Sequence, residues 1–104
     1  NKYTVWARRF ANTIKKWVDK GNPNVKHYDA LLNAELAALF GKHSLAMRFF
    51  GSAILFSGSG GFKNDQALVY ERFGEYNLKQ GNVNEAKYGL EQAIQLYEAW
   101  GRMA

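Results

Sequence analysis

The chain has no cysteine, which rules out a disulfide framework and a thiolate zinc site. Proline occurs once, at Pro23. There is no Asn-Xaa-Ser/Thr sequon to accept an N-linked glycan. Apolar runs are short. One, around Ala53-Ile54-Leu55-Phe56, meets Ser57 and Gly58 at once, and none approaches the roughly 20 residues that cross a bilayer. Near the start, Arg8 and Arg9 interrupt any apolar stretch, so no signal peptide is read there. These absences lead to the expectation of a cytoplasmic protein with no membrane span. A first residue of Asn1 suggests a segment of a longer chain.

What is present is apolar and aromatic. Of 104 residues, 47% are apolar and 15% aromatic, too rich for a disordered chain and enough for a buried core. The net charge is +5 and unevenly placed. Residues 1–20 carry Lys2, Arg8, Arg9, Lys15, Lys16 and Lys20 against Asp19 alone, and beyond them eight basic side chains balance eight acidic ones.

The periodicity is helical throughout. In 3–20, Tyr3, Trp6, Phe10, Ile14, Trp17 and Val18 share a face, with Arg8, Arg9, Lys15 and Lys16 mostly opposite. Gly21-Asn22-Pro23-Asn24 ends that helix. A second is expected from about Lys26 to Phe40, stopped by Gly41. A third begins near Ser44 and carries Leu45, Met47, Phe50, Ile54 and Leu55. Ser57-Gly58-Ser59-Gly60-Gly61 reads as the clearest loop. Asn64 or Asp65 is a cap for a fourth helix, ending near Gly81, and Asn82 or Asn84 for a fifth, reaching Trp100. No alternating strand pattern and no hairpin signal occurs. Short connections imply antiparallel neighbours.

The chain also repeats itself. Gly41 and Gly81, Ala46 and Ala86, Phe50 and Leu90, Ala53 and Ala93, and Ile54 and Ile94 are each 40 residues apart. Two helices approach closely only where side chains are small. Gly74 and Ala86 are therefore expected to face each other across a turn at Gly81, with Ala93 leaving room for a further helix. Tyr70, Phe73, Leu90 and Ile94 are expected to fill the space around them.

At Tyr70, Phe73-Gly74, Gly81, Ala86, Leu90 and Ala93 the second unit resembles the tetratricopeptide repeat. It departs from that pattern at Asn77, where an aromatic is usual, and at Glu98, where proline is common. The first unit keeps Gly41, Ala46, Phe50 and Ala53 but has Ala30, Asn33 and Ala34 at the other signature positions. A narrower resemblance covers residues 17–104. It is to the helical region of very large signalling proteins, which join kinase-like and ATPase domains to helical repeats and then to sensor and histidine-kinase domains. Ala34-Glu35-Leu36-Ala37, Ala46-Met47 and Tyr97-Glu98-Ala99-Trp100-Gly101 carry it.

Chemical motifs are weak beside these packing signals. The Ser57–Asn64 stretch lacks the Gly-Lys-Ser/Thr ending of a phosphate loop and follows no strand. His27 and His43 have no ligand at metal spacing, since Asp29 lies on a different face from His27, and read as surface or helix-end histidines. No metal, cofactor or catalytic group is expected. In the repeat family the first helix of each pair lines a concave groove. The resemblance thus implies partner contacts at Tyr28, Leu31, Glu35, Glu71, Glu75 and Leu78. Glu71 and Glu75 share a face and Glu35 aligns with Glu75, a pattern suited to a basic peptide or helix.

The expected fold is all-α: a right-handed helical-repeat solenoid of about five antiparallel helices. Segment 1–21 would be a basic helix and half of a preceding repeat, with repeat units at 26–60 and 62–101. The expected function is a non-catalytic protein-interaction or scaffold segment of a signalling protein, whose partner is another protein or a neighbouring domain. The alternative places nucleic acid or an anionic membrane surface on Arg8, Arg9, Lys15 and Lys16, with Trp6 and Trp17 as anchors.

Overall fold

The computed structural model describes residues 26–59 and 63–103, with Arg8 and Asn12 as isolated positions. It holds four helices: α1 (Lys26–Leu39), α2 (His43–Ser59), α3 (Lys63–Lys79) and α4 (Val83–Met103). No strand occurs among the described residues. Arg8 and Asn12 are helical and exposed. The rest of the expected first helix, including Arg9, Lys15, Lys16, Trp6 and Trp17, lies outside the described residues, as do Gly60, Gly61 and Phe62.

α1 and α3 end in the same way. Gly41 has φ 72° and Gly81 φ 80°, a left-handed backbone that costs glycine little. The Gly41 amide donates to the Ala38 carbonyl and the Lys42 amide to that of Ala37. Forty residues on, the Gly81 amide donates to Leu78 and the Asn82 amide to Asn77. Both are Schellman motifs, which satisfy the last carbonyls of a helix. The next helix starts at once, because Lys42 and Asn82 accept from the amides of Ala46 and Ala86. Asn82 thus holds the N-cap position, one of the two expected there.

Burial recurs at the same offset. His27 and Ala67, Ala34 and Gly74, Ala37 and Asn77, Ala46 and Ala86, and Ala53 and Ala93 are buried in both members of each pair.

The chain divides into two units, Asn1–Phe56 and Ser57–Ala104. In the first, α1 buries His27, Ala30, Leu31, Leu32, Ala34 and Ala37, and α2 buries Ala46, Phe50 and Ala53. In the second, α3 packs along α4. A methyl group on Gly74 would stand 2.8 Å from Leu90 Cγ and 3.1 Å from the Ala86 carbonyl oxygen. Gly74 does face Ala86, with Leu90 over it. Tyr70 and Tyr88 meet edge to face at 6.0 Å.

Three expectations are corrected. Ser57, Gly58 and Ser59 are not loop; they form the last turn of α2. Ser57 is buried and continues the Ala46, Phe50, Ala53 row at helical spacing. Ile94 does not fill the interior; it is 57% exposed, at the edge of the buried Ala86, Gly89 and Ala93 face. His27 stands at a helix start but is buried, its ring 4.3 Å from that of Tyr28; His43 is exposed.

Candidate interaction surface

The acidic candidates lie on α3, where spacings of four and three residues put Glu71, Glu75 and Leu78 in one row. Glu71 and Glu75 are half-buried and Leu78 is 58% exposed. Both carboxylates are engaged. The Tyr97 hydroxyl, reaching across from α4, donates to Glu71 Oε1 at 3.1 Å. Arg72 Nη1 donates to Glu75 Oε2 at 3.0 Å. Burial, then the Glu71 hydrogen bond, then the charges of Glu71 and Glu75 hold the Tyr97 phenol above its ordinary value. A phenol in that position stays protonated and keeps donating. Burial raises Tyr76 as well, and Tyr70 is raised by burial and then by its hydrogen bond to Tyr88.

On α1, Tyr28 and Glu35 are half-buried. Leu31 is 3% exposed and belongs to the interior; it offers no contact surface in this arrangement. The packing residues behave differently from the contact residues. Gly74, Ala86 and Ala93 are buried, Phe73, Tyr70 and Leu90 half-buried, and Gly81 turns the chain.

Sequence reasoning passed over three features of this hairpin. Gly89 comes close to α3: an added methyl would meet Phe73 Cδ1 at 2.8 Å, the Tyr70 carbonyl oxygen at 3.0 Å and Gly74 Cα at 3.1 Å. Its signal was present, since Gly89 follows Ala86 and precedes Ala93 on the small-residue face. Asn77, fully buried, donates from Nδ2 to the Phe73 carbonyl and accepts at Oδ1 from the Asn82 amide group. The Tyr97–Glu71 bond joins residues 26 apart and carries no local signal.

The described residues hold no group of three or more His, Cys, Asp or Glu side chains arranged to bind a metal. None of their helices is long and apolar enough to cross a membrane. Set against known proteins, the chain matches no family model, no curated protein and no solved structure.

Proposed function

We propose that this chain is a non-catalytic protein-interaction module, a tetratricopeptide-like helical-repeat solenoid serving as a regulatory or scaffold segment of a larger cytoplasmic signalling protein. The repeat architecture draws support from the two Schellman turns and the burial pattern that recur at a 40-residue offset. The docking role rests on one observation: Glu71, Glu75 and the exposed Leu78 line up on α3. Two carboxylates followed by an apolar side chain suit a basic amphipathic segment, from another protein or from a neighbouring domain of the same chain. Tyr97 and Arg72 hold the carboxylates in place, which lowers the entropy cost of docking.

The test uses a fluorescent amphipathic helix of lysine and leucine as probe, read by anisotropy. The Glu71→Lys, Glu75→Lys double variant is expected to bind it at least roughly tenfold more weakly, because like charges then face each other. The variant loses the half-buried Arg72–Glu75 pair, worth about 0–1 kcal/mol, and the Tyr97–Glu71 hydrogen bond, worth about 1.5–3 kcal/mol, so thermal unfolding must show that it still folds. Unchanged affinity in a folded variant would remove α3 from the proposal.

A further inference from the structure

We propose that the α1–α2 turn and the outer face of α2 dock this chain on an anionic lipid surface. Between Leu36 and Asn64 the sequence contains no Asp or Glu, while Lys42, His43, Arg48 and Lys63 fall inside that span. The unit Asn1–Phe56 carries nine Lys and Arg against three Asp and Glu, and Ser57–Ala104 carries five against six. Positive charge is thus concentrated in the first unit, and the α1–α2 turn and α2 carry Lys42 and Arg48 but no Asp or Glu.

Apolar side chains stand among these cations. Phe40, in the turn, is 64% exposed, and Leu55 is 69% exposed. Leu39, Leu45 and Phe56 are exposed as well. On α2 the buried row is Ala46, Phe50, Ala53 and Ser57. Leu45, Phe49, Ser52 and Phe56 form a second row beside it, at spacings of four, three and four residues. Arg48 and Leu55 lie on the far side of that second row, so the outer sector alternates apolar and basic groups.

The exposed apolar and basic groups stand on the outer sector of one helix and on the turn that enters it. A peptide buries its apolar side chains in a cleft between elements, whereas a lipid interface receives apolar groups from a protruding edge and holds basic groups at the headgroups. Long Lys and Arg side chains reach the phosphates while their stems stay among the apolar groups. Basic groups without acidic neighbours on these elements, set among exposed apolar side chains, favour the lipid surface over an acidic peptide.

The experiment is sedimentation of the full 104-residue chain with vesicles of phosphatidylcholine alone or of phosphatidylcholine with phosphatidylserine. The chain is expected to sediment with the anionic vesicles, to remain in the supernatant with the neutral ones, and to be released by high salt. Lys42→Ala with Arg48→Ala is expected to weaken partitioning roughly thirtyfold, each basic group near such a surface contributing about 1 kcal/mol. Phe40→Ser with Leu55→Ser is expected to weaken it more than roughly tenfold through lost apolar insertion. All four side chains are exposed, and circular dichroism checks that the variants fold. Should the Phe40, Leu55 variant unfold, the Lys42, Arg48 variant carries the test.

No sedimentation, or equal sedimentation with neutral vesicles, overturns the proposal. So does binding that survives both double variants and is lost in Lys15→Ala with Lys16→Ala, which assigns it to the basic first segment. A solution dimer abolished by Phe40→Ser with Leu55→Ser would assign the face to a second copy. Binding of polyglutamate without vesicle binding would assign it to an acidic peptide.

Discussion

A methyl group at Gly89 would lie within 3.1 Å of three atoms, and two of these, the Tyr70 carbonyl oxygen and Gly74 Cα, belong to the backbone of α3. Backbone yields little, so Gly89→Ala should push the helices apart. Overpacking of this kind costs about 1–3 kcal/mol, against the roughly 1 kcal/mol that alanine gains over glycine inside a helix. The net expectation in urea unfolding is destabilisation. Gly51 is also inside a helix, but an added methyl there meets nothing within 4 Å. Gly51→Ala should therefore stabilise, by about 0.5–1 kcal/mol. Opposite signs from the same substitution would show that close approach, and not helix propensity, decides at Gly89; equal signs would refute it. Asn77 makes a related point. It stands where the tetratricopeptide pattern has an aromatic, which at the sequence level is only a departure. In the structure its side chain ties Phe73 to Asn82 across the Gly81 turn. Asn77→Ala should cost about 1–3 kcal/mol, because a fully buried side chain gives up two hydrogen bonds, each worth about 0.5–1.5 kcal/mol.

At the scale of the element, the second hairpin holds Tyr70, Tyr76 and Tyr97, each raised above the ordinary phenol value of 10.0. A group whose folded pKa is raised contributes stability that is fully present below its unfolded pKa. That contribution is lost as pH rises through the folded pKa. These phenols should thus leave stability independent of pH near neutrality and make it decline above about pH 10. Tyr97→Phe should make the decline shallower, since it removes both the titrating group and its repulsion from Glu71 and Glu75. Denaturant titrations at several alkaline pH values check this, and an unchanged slope would count against the Tyr97 assignment. The helices themselves were largely legible. Lys26–Leu39 matches its expected span to within a residue, and Gly41 and Gly81 marked both stops. The end of α2 was misread because serine and glycine have weak helix propensity, and propensity gives way when a side chain such as Ser57 is buried on the helix's inner row. Ile94 was misplaced because an offset of 40 aligns it with Ile54, although only the Ala53–Ala93 pair next to it is buried on both sides. Tyr97–Glu71 was invisible because pairing across a hairpin depends on the exact helix rotation, which no local pattern fixes.

At the scale of the whole chain, two surfaces of opposite chemistry are proposed, one in each unit. The α3 row is acidic and ends in an apolar side chain; the α1–α2 turn and α2 are basic and apolar. The sequence showed the acidic row through the spacing of Glu71, Glu75 and Leu78, but offered Leu31 as a contact when burial removes it. It located the excess charge in residues 1–20 and passed over the acid-free stretch that follows, because net balance beyond residue 20 hides local separation. Raising salt should weaken both proposed interactions, since each relies on exposed charge. The most direct test of the interaction role is a titration of the isotope-labelled chain with the lysine–leucine helix, followed by amide chemical shifts. The expected result is a set of shifts centred on Glu71, Glu75 and Leu78, absent in the Glu71→Lys, Glu75→Lys variant. Saturation of the probe with shifts elsewhere, or no shifts at all, would contradict an interaction surface on α3.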